Sequence, residues 1–275
     1  MCKFYSKPQD FRLAIALLFL SLFGFNSTKA QINTEMYRNR IHKYGINFQN
    51  KTELSFKSGN SDYICVYEDV CVGLQNKINQ LYLIGHYKFK ESDKVKSTNE
   101  GYIHLRWVRN LNSIFALESF TQKGFDQFIS LKDRNLIGVG AKIKIIEWLS
   151  DKQEEKIFDC DHRFQLFGGV GVMFENENYN LPNNKVQIIN LARSTNYINF
   201  LWKITKHLDL SCASYYQPAF KDFKNFRMIG NLSLEIQVAK HLAMTTTYWY
   251  RYDSKPTVAP HKLDQELIYG LNFSI

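Results

Sequence analysis

No apolar run in this 275-residue chain reaches the roughly 20 residues that a membrane-spanning helix requires; the longest, LAIALLFLSLFGF at residues 13–25, stops at 13. A helical-bundle membrane protein is therefore excluded. There is no CxxC pair and no cluster of cysteine and histidine at metal-ligand spacing, so no metal site is expected. Cysteine is also too sparsely placed for a disulfide framework. Cys2 precedes the apolar run, which argues against a lipoprotein anchor, and Cys65 and Cys71, on one strand, would lie about 20 Å apart at about 3.3 Å per residue. The remaining two, Cys160 and Cys212, stand alone. The glycine-rich FGGVG at residues 167–171 has no GKS or GKT after it and continues as a strand, so it is no phosphate loop. Its glycines are expected to relieve crowding on a curved sheet.

What the chain does have is aromatic residues, 15% of the total with 16 Tyr and 21 Phe, and these favour strands. The basic start (Lys3, Lys7, Arg12), the apolar run and the small residues of Thr28-Lys29-Ala30 read as a cleaved signal peptide over residues 1–30. That leader carries a net +3, which leaves +6 of the formal +9 on residues 31–275. The excess suits contact with acidic sugars, lipid headgroups or anions, although lysines in solvated loops are the favoured account of it. Export makes nucleic acid an unsuitable partner.

From about residue 49 the polarity alternates with period two. In residues 226–238, Phe226, Met228, Gly230, Leu232, Leu234, Ile236 and Val238 share one face, opposite Arg227, Asn231, Ser233, Glu235 and Gln237. Segments of this kind give about twelve strands: 49–58, 61–75, 79–90, 99–109, 112–123, 131–147, 162–176, 193–205, 207–217, 223–238, 240–252 and 262–275. The connections mostly alternate between short and long, the longer ones at 91–98, 124–130, 177–192, 218–222 and 253–261, which is the pattern of an up-and-down barrel with one elaborated rim; SGNSD (58–62), short where a long one is due, and 148–161, long where a short one is due, break it. Twelve strands enclose more width than side chains comfortably fill, so the apolar face is expected to point outward, to lipid. Trp107, Trp202, Tyr248 and Tyr250 near strand ends agree with aromatic girdles. The expected fold is therefore all-β: an up-and-down antiparallel transmembrane β-barrel over 49–275, preceded by the signal peptide and by an N-terminal periplasmic extension at 31–48.

The stretches LSFKSGNSD (54–62), IHLRW (103–107), ALESFTQKGFDQF (116–128), RNLIGVGAKIKI (134–145), GVGVMFENENY (169–179), YYQP (215–218) and YRYDSKPTVAPHKLDQELIYGLNFSI (250–275) occur in a family order. In these the chain resembles the DUF481 family of outer-membrane proteins, some of them labelled salt-induced. The resemblance implies a barrel in the bacterial outer membrane and implies no activity.

Continuing the strand parity places Arg106, Glu118, Arg134, Lys142, Lys144, Arg163, Glu175, Arg227, Glu235 and Arg251 on the inner wall. Charges there need partners, so they read either as bracing ion pairs or as a path for small solutes. Arg106 and Glu118 are expected to face each other across the RNLN hairpin. None of the seven histidines has a serine two residues away, the spacing that would set a base beside a hydroxyl on one strand face, and His207 with Asp209 falls at a turn. No catalytic residue, metal ligand or cofactor is assigned. The reading is a non-enzymatic outer-membrane barrel, a narrow pore or structural element, its partners membrane lipid, lipopolysaccharide, the barrel-assembly machinery and small solutes. The alternatives are a lipid-modifying hydrolase and a surface-binding protein acting through its longer loops. The last strand, with Tyr269, Leu271, Phe273 and Ile275 on its outer face, resembles the assembly signal of such barrels, although the terminal aromatic is missing.

Overall fold

The computed structural model describes residues 44–57, 63–92, 95–149, 163–183, 185–258 and 262–274. The leader and most of the expected periplasmic extension lie outside these residues. Twelve strands follow one another: β1 (Gly45–Lys57), β2 (Tyr63–Gln75), β3 (Asn79–Ser92), β4 (Val95–Asn110), β5 (Phe115–Asp126), β6 (Leu131–Leu149), β7 (Arg163–Leu181), β8 (Lys185–Thr205), β9 (Leu208–Ala219), β10 (Asp222–Ala239), β11 (Leu242–Asp253) and β12 (Leu263–Ser274). Each pairs antiparallel with its neighbour in sequence, and β12 returns to β1 to close the barrel. Closure leaves no open sheet edge, which a spanning sheet requires because lipid offers no hydrogen bonds. Among the described residues the seam is short: Gln49 to Thr52 pair with Ser274 to Leu271. The start of β1 and the end of β12 share one rim, here the terminal rim; the opposite one is the far rim.

The far rim differs from expectation. The strands flanking residues 91–98 run to Ser92 and resume at Val95, and β7 and β8 pair without interruption up to Leu181 opposite Lys185. The connection expected at 177–192 is thus a strand extension ended by a tight turn, with Asn183 at φ 64°. NENYNLPNN reads as loop because its asparagines and proline are poor strand formers. The ladder supplied by the partner strand overrides that preference. The β6–β7 connection expected to be long spans 150–162, outside the described residues, and the β11–β12 connection on the far rim spans 254–262.

The two faces of the sheet are inverted relative to a soluble barrel. Buried positions are largely polar or charged, while Ile103, Leu117, Ile137, Val139, Val170, Val172 and Phe174 stand exposed on the outer wall, Phe174 at 67%. A contiguous apolar exterior of this kind is stable in lipid rather than water. The band has definite limits on β5 to β8. Toward the far rim Lys123, Asn135, Asn176 and Asn190 are successive register partners and form an outward polar row. Toward the terminal rim Trp148, Phe164 and Trp202 form an aromatic row in the same way. Twelve residues of β7 separate Asn176 from Phe164, about 30 Å at about 3.3 Å per residue for a strand tilted by about 40°. That is the thickness of a bilayer core.

Candidate functional site

The interior is filled by side chains that pair between neighbouring strands and, at a few points, reach across the lumen to strands further round the wall. Toward the far rim, β6 contributes Arg134, β7 Glu175 and Glu177, β8 Arg193, β10 Arg227 and β11 Asp253, all buried. Period-two geometry puts Glu175, Glu177 and Tyr179 on one face of β7, which stacks the two carboxylates in reach of three guanidinium groups. Arg134 donates from Nε and Nη2 to Glu175 Oε1 at 3.0 and 2.5 Å, and its Nε lies 3.2 Å from Glu177 Oε1. Arg193 Nε donates to Glu175 Oε2 at 2.6 Å, and its Nη1 reaches the Gln217 and Asn225 carbonyls at 3.2 and 3.3 Å. Arg227 holds both oxygens of Glu177 at 3.0 Å each, contacts Glu175, and takes Asp253 Oδ2 through Nε at 2.8 Å. Tyr179 donates to Glu177 Oε2 at 3.0 Å. Three guanidinium groups meet three carboxylates, so the set is formally neutral, and bidentate pairing suits the planar fork of arginine.

A second layer lies nearer the terminal rim. Tyr197 on β8 donates to Glu118 Oε2 on β5 at 2.8 Å, and Arg106 Nη2 stands 3.6 Å from the same oxygen. The Arg106 guanidinium covers the Phe120 and Tyr197 rings at 5.6 and 5.9 Å. Between the two layers remains a cavity of about 30 Å³, room for roughly one water. On the β2–β3 side Asp69 Oδ1 lies 2.6 Å from His86 Nδ1 and Asp69 Oδ2 accepts from Tyr67 at 2.7 Å, with Tyr102 stacked on the imidazole at 4.9 Å. Lys88 reaches Glu266 across three strands. Below the second layer the lumen opens at the terminal rim into a vestibule of about 600 Å³.

Strand parity accounts for several of these residues and leaves others out. Arg134, Glu175 and Arg227 come together in the far-rim partition, and Arg106 meets Glu118 in the second layer. Lys142 lines the vestibule, its Nζ 3.7 Å from the centre of the Phe167 ring. Lys144 pairs with Glu147 at 2.6 Å, made possible by a bulge between Lys144 and Ile146 that turns Glu147 to the same side. Glu235 accepts from Asn272 Nδ2 at 3.2 Å, and Arg251 is half-buried beside its register partner Asp264. The side chain of Arg163 lies outside the described residues. Tyr269, Leu271 and Phe273 are exposed on the outer wall, and Ile275 lies outside the described residues. Glu177 and Asp253 escaped the parity argument because they sit where loops were expected, and Arg193 because it opened an expected strand. Extending the odd parity of β7 past Glu175 would have found Glu177.

The imidazole of His86 and the carboxylate of Asp69 form the pair a hydrolase would need, but the pair is buried among Tyr67 and Tyr102 and faces the lumen rather than lipid. Among the described residues no group of three or more His, Cys, Asp and Glu side chains is arranged to hold a metal ion.

Comparison with known proteins adds a family. The family model described as "Protein of unknown function, DUF481" matches residues 54–275. No curated protein matches the chain. Among solved structures, the NanC porin is 9% identical with a TM-score of 0.47, covering 83% of this chain and 100% of its own. The KdgM porin is 9% identical with a TM-score of 0.42, covering 84% and 99%. The translocator domain of the autotransporter NalP from Neisseria meningitidis is 7% identical with a TM-score of 0.43, covering 96% and 94%.

Proposed function

The chain belongs to the DUF481 family, and we propose that it is a non-enzymatic barrel of the bacterial outer membrane, a narrow pore whose lumen is held shut at rest by the arginine–carboxylate partition. The observation that carries this reading is the span of Arg227, which reaches from β10 through the barrel interior to Glu177 on β7 while its register partner Asp253 on β11 holds it at the wall. An ion pair so placed braces the wall and blocks the path together. Burial of six charged groups without an odd charge is the arrangement that a closed partition requires, since an unpaired one would cost several kcal/mol. The apolar band between the asparagine and tryptophan rows supports residence in a bilayer, with outer-membrane lipid and lipopolysaccharide as its surroundings and the barrel-assembly machinery as the route there.

Planar-bilayer recording of the refolded chain tests the proposal. The expected trace is a baseline near that of lipid alone, with brief openings that become frequent once Glu175 is replaced by Gln. A steady conductance typical of an open twelve-strand barrel from the unaltered chain would overturn the closed partition. Lipid hydrolysis by the same preparation would overturn the non-enzymatic reading.

A further inference from the structure

Among its described lining residues the terminal-rim vestibule carries a charge imbalance that the partition lacks. Its described lining includes Lys77, Lys142 and Lys144 against one carboxylate, that of Glu147. Glu147 is already engaged, taking Lys144 Nζ at 2.6 Å on one oxygen and Gln165 Nε2 at 2.5 Å on the other. Lys142 is left over. It is 8% exposed, and its ammonium rests on the face of Phe167 at 3.7 Å, with no carboxylate beside it among the described residues. A ring face stabilises a cation without occupying its three N–H donors, which therefore remain for another partner.

A buried ammonium with no counter-ion among the described residues is costly, and a concave low-dielectric wall focuses its field on the space in front of it. That space, about 600 Å³, falls in the range of small-ligand sites. Gln80 and Asn110 add amide groups around it, and Phe115 and Phe167 add apolar surface. We propose that the vestibule is a binding site for a small multivalent organic anion, carboxylate- or phosphate-bearing, with Lys142 as its buried anchor and Lys77 at its mouth. Such a site requires the barrel but not a closed partition, so it stands whether or not the lumen conducts.

Isothermal titration of the refolded barrel in zwitterionic detergent at low salt tests it, with citrate and inorganic phosphate as probes and spermidine as a cationic control. One or both anions bind, spermidine does not, and raising the salt weakens binding because the attraction is screened. Lys142→Met, which keeps the stem and removes the charge, lowers anion affinity at least tenfold; Lys142→Arg restores most of it; Lys255→Met at the far rim leaves it unchanged. Heat-modifiable gel migration confirms that each variant is folded. Citrate or phosphate binding equal in the unaltered chain and in folded Lys142→Met, or no anion binding to the folded unaltered barrel, would overturn the site. Open conductance in bilayers would overturn the closed partition and leave this binding intact.

Discussion

Arg227 on β10 donates to both carboxylate oxygens of Glu177 on β7 at 3.0 Å, across a lumen that the wall would otherwise enclose as empty width. A twelve-strand barrel is too wide to be filled by apolar side chains, and the long arginine arms supply the reach. The first prediction concerns the carboxylate beside this pair. Glu175 receives Arg134, Arg193 and Arg227, so Glu175→Gln leaves the partition with one uncompensated positive charge. The expected cost is about 3–5 kcal/mol in folding stability, read from urea denaturation in micelles. Removing Arg193 at the same time restores neutrality. The double variant Glu175→Gln/Arg193→Met should therefore be more stable than Glu175→Gln alone, and an additive loss would show that charge balance is not what holds the layer.

Much of the fold was legible because lipid imposes alternation on every strand that crosses it. On β10 the apolar and polar residues alternate from Phe226 to Val238 almost without fault, and the strand observed there, Asp222–Ala239, matches the expected one within a residue at each end. Where the strands rise past the polar row that pressure ends, and the β7–β8 hairpin above Asn176 could not be recognised. The site divides along the same line. Inner-wall charges within the expected strands, such as Arg134 and Glu175, follow from parity alone. Their partners do not, because the meeting of Arg227 with Glu177 depends on barrel width and on the relative heights of strands three apart.

The limits of the apolar band make a second prediction. Val170 lies midway along β7 between Asn176 and Phe164 and is exposed on the outer wall, whereas Ile188 is equally exposed but sits beyond the asparagine row. Arginine at the bilayer midplane costs about 2–4 kcal/mol and near the interface about 0–1 kcal/mol. Val170→Arg should accordingly destabilise the barrel in lipid vesicles by the larger amount and Ile188→Arg by the smaller. Equal costs would misplace the membrane.

Gly169 supports a third. A Cβ added there would fall 2.0 Å from Tyr197 Cε1, the ring that delivers its hydroxyl to Glu118. The glycine expected to ease curvature thus has a more specific cause, the close approach of one ring in the second layer. Gly169→Ala should displace Tyr197 and lose stability, while Tyr197→Phe keeps the ring and forfeits a hydrogen bond to a charged group, about 1.5–3 kcal/mol. If Gly169→Ala costs nothing, the ring does not pack there in the folded barrel. The urea midpoint of each folded variant checks both losses.

The last prediction concerns closure. Among the described residues β12 meets β11 through eleven register pairs, from Leu242↔Phe273 to Tyr252↔Leu263, but meets β1 through four, so the barrel is joined most weakly where its two ends meet. Tyr269, Leu271 and Phe273 face outward along β12 and contribute apolar area that only lipid or an assembly partner can cover. Replacing Tyr269 and Phe273 with Ser removes two aromatic anchors from the strand whose backbone must find β1. Because the neighbouring β11 pairing is untouched, the expected failure is at closure: the double variant should associate with membranes yet lack the heat-modifiable, compact gel band. Lengthening the seam offers the converse. A cysteine pair at the facing positions Asn50 and Phe273, oxidised after folding, should protect the closed form against urea if these strands meet in the register found. Failure of that pair to cross-link in a barrel that is otherwise compact would show that β12 closes on β1 in another register.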